Sequence, residues 1–391
     1  MSNSPRLFYF VPLTTEALNR KYGIELFVGP TVHKVFGVCR ALKRANVSPV
    51  IVSGFVPWSR PAKLALVTHL ALDGVCFAKV LSFGNGVLKR LSSAISLLGY
   101  AVCNIRRGDR VLLYNFFPEF IPAAAYLKIR GNPAILDIED GPRSDDVTLR
   151  GRVASLCFKL LRPLCDARCI SVSKTVASRL GYEVVLPVYG VATYFDAAAG
   201  ERHLSERFSL LYGGSIEHGT GQDLFLESID RIATTKPDLA LDIFITGRYP
   251  NDVFEAFAAD IESRTSIRVF LHGELSTERY WDLLRKIDVG LCLKLPSDSI
   301  GQTTFPSKVI EYAAFGVLVC STPVSDVPLI FSSDTAILMK TEDPEELSQR
   351  LIDAAGDRTL TSRKARAGRE MVMQKFTSEI VGARLKEFLF G

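Results

Sequence analysis

Residues 303–321 read TTFPSKVIEYAAFGVLVCS, an order that predicts a helix leading directly into an apolar strand. Pro306 suits the start of a helix, and Gly316 suits its end before the strand. The unpaired amides at a helix start carry a partial positive charge, to which Lys308 adds a full one. The segment therefore predicts a site for an anionic group, unless Lys308 and Glu311 form only a solvated surface pair.

The rest of the chain repeats this alternation of short apolar runs and amphipathic stretches. Such a pattern is typical of parallel sheets whose strands are joined by crossover helices. Strands are predicted at residues 7–11, 49–53, 110–114, 134–138, 167–172 and 183–187, and again at 208–212, 239–246, 267–271, 289–293, 317–321 and 336–339. The expected fold class is α/β, with two Rossmann-like, doubly wound parallel-sheet domains.

The length and composition of the chain support two domains. With 391 residues, of which 48% are hydrophobic, each domain can build its own core. A turn-rich stretch at 188–206 is the expected linker. We predict one domain over 1–190, a second over 205–375, and a C-terminal helix over 376–391 that packs back on the first domain.

A second motif is the glycine-rich turn GGSIEHGTG at 213–221, directly after a predicted strand. The exposed amides of such a turn can approach a phosphate. The spacing differs from the dinucleotide fingerprint, and Arg248 stands near the end of the next strand, where that fingerprint needs an acidic residue, so the pattern disfavours NAD. Taken alone, the turn is equally compatible with a tight connection.

The order of motifs from Gly213 to Asp326 resembles the donor domain of the family-4 retaining glycosyltransferases (glycosyl transferases group 1). The matching runs are the glycine turn, LDIFITG at 241–247, VFLHGEL at 269–275, YWDLLRKIDVG at 280–290 and FPSKVIEYAAFG at 305–316. The resemblance implies the GT-B fold, in which two Rossmann-like domains face a central cleft. It also implies that the C-terminal domain binds a nucleotide-diphosphate sugar and the N-terminal domain an acceptor.

The resemblance assigns roles to individual residues. Glu311 stands where the family binds the donor ribose, and the loop Gly273-Glu274-Leu275 stands beside the base. The segment Thr304, Phe305, Pro306 and Ser307 would touch the phosphates and the sugar, with Gly213, Gly214 and Ser215 opposite. Gly29 and Pro30 stand where the family carries a double-glycine loop facing the acceptor and the donor phosphate.

The sequence departs from the family pattern at two points. Thr303 falls where the first glutamate of the family's two-glutamate motif would be, and it carries no charge to hold the sugar. The arginine and lysine that the family places in and after the glycine turn are replaced by small residues. Arg248 and Lys308 are the candidate substitutes that would neutralise the diphosphate.

Two acidic residues, Glu139 and Asp140, follow the predicted strand at 134–138. Many relatives carry a histidine here that faces the transferred sugar, and carboxylates accept several hydrogen bonds from sugar hydroxyls. We predict that one of them contacts the sugar or acceptor, although Asp140 could instead cap the following turn. No metal or other cofactor is expected, since the resemblance implies chemistry without one.

Charge is distributed unevenly along the chain. Residues 1–200 hold 25 Lys and Arg against 13 Asp and Glu, whereas residues 201–391 hold 22 against 29. A basic half suits an anionic partner such as a lipid-linked phosphate or an anionic membrane surface, but its scattered charges match no nucleic-acid motif. The uncharged stretch 91–105, bracketed by basic residues, predicts either a buried helix or one lying on a membrane.

The expected function is transfer of a hexose-type sugar from UDP- or GDP-sugar to a saccharide or lipid-linked acceptor, with retention at the anomeric carbon. The resemblance suggests bacterial cell-surface polysaccharide synthesis (lipopolysaccharide or exopolysaccharide), at a cytoplasmic location peripheral to the inner face of the plasma membrane. Two alternatives remain open. One is a nucleotide-sugar epimerase of the same fold, which would need acid and base groups in the cleft. The other is a catalytically silent scaffold subunit, favoured by the uncharged Thr303.

Overall fold

The computed structural model describes residues 4–22, 31–54, 67–72, 74–83, 86–142, 148–189, 198, 200–203 and 205–391. The chain forms two compact units. The first unit comprises Met1–Thr193 and Thr377–Gly391, and the second unit comprises Tyr194–Phe376. Each unit is built on its own sheet and its own hydrophobic core.

The first unit contains an eight-stranded sheet that is parallel except at one edge. Its order is β3-β4-β2-β1-β5-β6-β7-β8, with only β3 and β4 antiparallel to each other. The strands are β1 Arg6–Phe10, β2 Ser48–Ser53, β3 Val67–Leu72, β4 Val75–Val80, β5 Arg110–Tyr114, β6 Ile135–Ile138, β7 Arg168–Ser171 and β8 Val184–Pro187.

The pair β3 and β4 was not predicted from the sequence. The two strands form a hairpin at the sheet edge, and β3 is only partly buried, so it lacks the apolar run of a central strand. The Asp-Gly dipeptide at 73–74 is a hairpin signal that could have revealed it. Gly74 has φ of 71°, a conformation that glycine adopts without strain.

Helices connect the strands of the first unit. They are α1 Glu16–Tyr22, α2 Thr31–Arg44, α3 Gly86–Asn104, α4 Ile121–Ile129, α5 Leu149–Leu161 and α6 Lys174–Arg179, with a 3₁₀ turn at Pro118–Phe120. Side-chain caps fix two of the starts: Thr148 accepts from the amide of Gly151 before α5, and Ser173 accepts from the amide of Val176 before α6.

The second unit contains a six-stranded, all-parallel sheet in the order β11-β10-β9-β12-β13-β14. The strands are β9 Phe208–Ser215, β10 Leu241–Arg248, β11 Arg268–Gly273, β12 Val289–Cys292, β13 Leu318–Ser321 and β14 Ala336–Leu338. This is the doubly wound order of the Rossmann fold, as predicted. The direction of winding reverses where β9 meets β12.

The helices of the second unit are α7 Gln222–Thr235, α8 Asn251–Arg264, α9 Thr277–Leu284, α10 Ser299–Thr303, α11 Lys308–Ala314, α12 Val327–Ile330, α13 Pro344–Gly356 and α14 Arg358–Lys375. A 3₁₀ turn, His218–Thr220, precedes α7. The helix expected to open at Pro306 begins at Lys308. Its first turn is tight because the amide of Val309 bonds the carbonyl of Pro306 at 3.0 Å.

The last helix, α15 (Ser378–Phe390), belongs to the first unit. It packs on α2, and Leu385 and Leu389 are fully buried in the core of that unit. Gly382 permits the close approach, since a Cβ there would overlap the carbonyl of Ala41. Arg110 Nε donates to the carbonyl of Leu389 at 2.6 Å, which ties the end of the helix to β5.

Candidate functional site

The carboxyl ends of β9 and β12 form the point of the second sheet where ligands bind in wound folds. The loops after these two strands are joined directly. The amide of Leu295, after β12, donates to the carbonyl of Gly219, after β9, at 3.1 Å. The two loops are therefore hydrogen-bonded to each other at the topological switch point, where the direction of winding reverses.

Glycines allow the backbone of β9 and β10 to approach closely at this edge. Gly214 pairs with Gly247 in the parallel ladder. Gly247 has φ of 97°, and a Cβ on it would overlap the carbonyl of Gly214. A Cβ on Gly213 would overlap the hydroxyl of Thr246. Close packing therefore explains why glycines stand at some positions of the motif. Because glycine has no side chain, the carboxyl end of β9 also stays open at these positions.

Lys308, at the first position of α11, lies directly beside the glycine turn. A Cβ on Gly214 would stand 3.3 Å from the Cε of Lys308. Its ammonium donates to the hydroxyl of Tyr280 at 3.2 Å and lies 4.8 Å from the centre of that ring. Lys308 is half-buried, so its charge is held at the end of β9.

Lys294, which the sequence analysis missed, is a second cation at the same edge. It is the second residue after β12, and its ammonium donates to the hydroxyl of Thr304 at 2.7 Å. The positive charges of Lys294 and Lys308 both act on Cys292, where burial raises the pKa of the thiol to about 12 and the two lysines oppose that rise. The position of Lys294 directly after the strand at the winding reversal was the signal in the sequence.

Glu311 lies in the first turn of α11 and is half-buried. Burial is the main reason that the pKa values of Tyr280 and Tyr312 are raised, and the negative charge of Glu311 adds to the rise. Tyr312 is fully buried and packs over Gly290 of β12, where a Cβ would overlap its ring. This contact holds α11, and Glu311 with it, against the sheet.

The segment before α11 is folded more tightly than the sequence suggested. Thr303 ends α10, and its hydroxyl donates to the carbonyl of Ser299 at 2.8 Å. Thr304 donates to the carbonyl of Ile300 at 2.6 Å. The amide of Ser307 donates to the carbonyl of Phe305 at 3.0 Å, so this predicted phosphate-binding amide is already bonded within the chain. Phe305 and Pro306 are buried.

Arg248 and the loop after β11 lie next to each other. Arg248 ends β10, and its guanidinium donates to the carboxylate of Glu274 at 2.8 Å. Both side chains are mostly exposed, at 62% and 66%. The amide of Gly273 donates to the hydroxyl of Tyr249 at 3.0 Å, and Leu275 is half-buried beside it. The ion pair of Arg248 and Glu274 is thus an exposed surface contact, whereas Lys294 and Lys308 are half-buried.

In the first unit, Glu139 and Asp140 follow β6. Asn115, directly after β5, orients both of them, because its side-chain oxygen accepts from the amide of Glu139 at 2.7 Å and from that of Asp140 at 3.3 Å. Asn115 has φ of 53°, an uncommon conformation for a residue other than glycine. Asp140 is exposed.

Glu139 belongs to a buried charge network. Lys34 of α2 donates to Asp137 at 2.8 Å and pairs with the buried Oε2 of Glu139, and the hydroxyl of Tyr9 donates to Asp137. Burial disfavours the ammonium, but the two carboxylates outweigh it, so the pKa of Lys34 is raised. Burial raises the pKa of Glu139, and Lys34 opposes that rise. Tyr114 closes the network, with Lys34 5.7 Å from its ring.

Gly29 and Pro30, predicted on the acceptor side, lie outside the described residues. They precede α2, the helix that carries Lys34.

Comparison with known proteins gives a match in the second unit. Residues 207–357, which include every element of the switch point, match the family model described as Glycosyl transferases group 1. The matched residues lie within the second unit. The match spans the glycine turn, both lysines and Glu311. A search of curated proteins gives no match.

Solved glycosyltransferases share the fold of the whole chain. A glycosyltransferase from Rickettsia africae is 16% identical, with 99% of each chain covered and a TM-score of 0.65. HepE from Anabaena, solved with UDP, is 12% identical, with 98% and 99% covered and a TM-score of 0.66. A sucrose-phosphate synthase from Thermosynechococcus elongatus is 12% identical, with 98% of each chain covered and a TM-score of 0.68. The chain thus has the GT-B fold of these glycosyltransferases.

Proposed function

We propose that the protein is a glycosyltransferase and that it binds a nucleotide-diphosphate sugar at the switch point of the second unit. The observation that carries the proposal is the convergence of Lys294 and Lys308, from two different elements, at one edge of the sheet. Two cations beside a glycine-lined strand end suit the two charges of a diphosphate leaving group. Stabilising that charge as the glycosidic bond breaks is the main electrostatic task of sugar transfer.

Further contacts define the rest of the donor. Glu311 accepts hydrogen bonds from the ribose hydroxyls, and the loop Gly273-Glu274-Leu275 lies beside the base. Gly213, Gly214 and Ser215 line the phosphates. The neighbours HepE and a trehalose-6-phosphate synthase from E. coli were solved with UDP and with UDP-2-fluoro glucose, respectively, which supports UDP-sugar as the first donor to test, with GDP-sugar second.

The first unit binds the acceptor in this proposal, at the end of β6. Asp140 is exposed and accepts hydrogen bonds from acceptor hydroxyls, whereas Glu139 is held by Lys34 and shapes the site. We propose a saccharide or lipid-linked acceptor, a retaining reaction without a metal cofactor, and a role in cell-surface polysaccharide synthesis at the membrane. The basic character of residues 1–200 supports an anionic, lipid-linked acceptor.

The experiment is a nucleotide screen followed by product analysis. UDP, GDP and ADP are compared by thermal shift, and the nucleotide sugars of the stabilising base are incubated with candidate acceptors. NMR of the anomeric proton in the product reports retention or inversion. Stabilisation by one nucleotide and an acceptor-dependent product are expected. Conversion of the nucleotide sugar without an acceptor would indicate an epimerase, and no stabilisation by any nucleotide would indicate a scaffold.

A further inference from the structure

Two helices of the first unit carry apolar stripes on their exposed sides. On α3, Leu88, Leu91 and Ile95 follow one another at the three- and four-residue spacing of one helix face. On α5, Val153, Leu156 and Leu160 repeat the pattern. Ile95 exposes 71% of its surface and Leu156 55%. We call these six residues the docking face.

The first half of α3 buries two serines, whereas its second half buries Leu97, Tyr100 and Ala101. Ser92 and Ser93 point inward, where Ser93 donates to the carbonyl of Gly54 at 2.9 Å and Ser92 to the carbonyl of Phe83 at 3.2 Å. A helix facing only water places its polar residues outward. Exposed leucine and isoleucine side chains in such a stripe indicate a surface that a partner covers.

The two stripes lie in one layer of helices. α3 packs against α4, and α4 packs against α5. Right-handed crossovers from β4 to β5, β6 and β7 place all three helices on the same face of the sheet. Between the stripes, Ile129 at the end of α4 is 86% exposed. At 19 residues, α3 alone gives the layer a length of about 28 Å.

The three helices of this layer carry only basic charged residues. The sequences of α3, α4 and α5 contain no Asp or Glu, and their described basic residues include Lys89, Arg90, Lys128, Arg152 and Lys159. Arg106, Arg107 and Arg130 follow directly after α3 and α4 and are exposed. One acid lies nearby: Glu119, in the 3₁₀ turn before α4, pairs with Arg90 at 3.4 Å.

The apolar stripes and the basic residues together indicate which kind of partner the docking face binds. A second copy docked by two-fold symmetry would place basic groups against basic groups. An anionic bilayer instead accepts the apolar side chains and attracts each nearby Lys or Arg by about 1 kcal/mol. Among the described residues, no helix is long and apolar enough to cross a membrane. We propose that the docking face binds the surface of an anionic lipid bilayer.

The inference deepens the lipid-linked acceptor of the proposed function, but its test requires no donor or acceptor. Binding of the full chain to phosphatidylcholine vesicles is compared with binding to vesicles in which half of that lipid is phosphatidylglycerol. We expect about tenfold or stronger preference for the anionic vesicles, weakened by added salt. Equal binding to both vesicles, or binding to neither, would overturn the proposal.

Variants locate the contact. The double variant Ile95→Asp and Leu156→Asp is expected to lower the affinity for anionic vesicles at least about tenfold. Its control is Leu329→Asp with Val184→Asp, since Leu329 and Val184 are 71% and 51% exposed and lie on other elements, α12 and β8. Arg152→Gln with Lys159→Gln is expected to reduce the salt-sensitive part of binding only.

Two further readouts separate the outcomes. Light scattering without lipid tests whether the docking face binds a second copy of the chain. If the chain forms a dimer that Ile95→Asp dissociates, and the chain does not bind vesicles, the lipid assignment is contradicted. Thermal shift with UDP on the double variant tests the donor site independently. Vesicle binding without any nucleotide binding would overturn only the proposed function, and the reverse result would overturn only the docking face.

Discussion

Lys294 and Lys308 hold their charges at the end of β9 by different means. The ammonium of Lys294 is anchored on the hydroxyl of Thr304, and that of Lys308 on the hydroxyl and ring of Tyr280. The two hydroxyl partners are neutral hydrogen-bonding groups, whereas Arg248 pairs with the carboxylate of Glu274.

Removing either lysine should therefore weaken diphosphate binding. We expect Lys294→Ala and Lys308→Ala each to raise the Kd for nucleoside diphosphate about tenfold, the loss of one charge-assisted hydrogen bond. Isothermal titration calorimetry measures the change. Lys236→Ala is the control, because Lys236 lies at the end of α7, by the opposite edge of the sheet. An unchanged Kd in both variants would remove the lysines from the donor site.

Lys34 joins the two carboxylates of the charge network in the first unit. It is the cationic partner of Asp137, which is fully buried. Lys34→Met should lower the free energy of unfolding by about 3–5 kcal/mol, because a buried carboxylate loses its partner. Urea denaturation gives the value. Lys43→Met, on the same helix but exposed, should have a small effect, and adding Asp137→Asn to Lys34→Met should recover part of the loss.

At the scale of elements, the close approach of β9 and β10 depends on glycine backbone. Gly247 combines a left-handed φ with contact against the carbonyl of Gly214. Gly247→Ala should destabilise the protein by about 2 kcal/mol or more, because strain and overlap add. Gly356→Ala, at the end of α13 with open space around it, should be neutral or stabilising. Equal effects of the two substitutions in thermal denaturation would contradict this explanation.

Sequence patterns were insufficient to predict the bounds of the shortest helices. The helix α11 has only seven residues, and a separate five-residue helix, α10, precedes it. Local propensity cannot position such short helices, since isolated helices of this length are unstable in water and packing decides their ends. The contact of Tyr312 with Gly290 supplies that packing here.

At the scale of the whole molecule, the C-terminal helix α15 belongs to the first unit, which is otherwise built from the N-terminal part of the chain. Val381, Leu385 and Leu389 of α15 fill a core whose other buried residues all lie before residue 190. Leu385→Ala should lower the free energy of unfolding by about 2–5 kcal/mol, the usual result of a cavity in a core. The loss should fall on the first unit only.

Hydrogen exchange resolves where the destabilisation acts. In the Leu385→Ala variant, amides of α2 and β1 should exchange faster, while those of β9 and β10 should not change. The neighbouring exposed Glu387→Ala should affect neither set by more than about 0.5 kcal/mol. Uniformly faster exchange in both units would show that the helix supports the whole chain.

The sequence by itself determined the α/β class, the six strands of the second sheet and the motif that carries Lys308 and Glu311. These features follow from local periodicity and from residues adjacent in the chain. Tertiary structure decided the strand order, which brings Lys294 beside Lys308, and the layer that places the stripes of α3 and α5 side by side. It also decided that Glu139 is held by Lys34. Such neighbours are far apart in sequence, and only the folded sheet, with its burial and close packing, brings their charges and surfaces together.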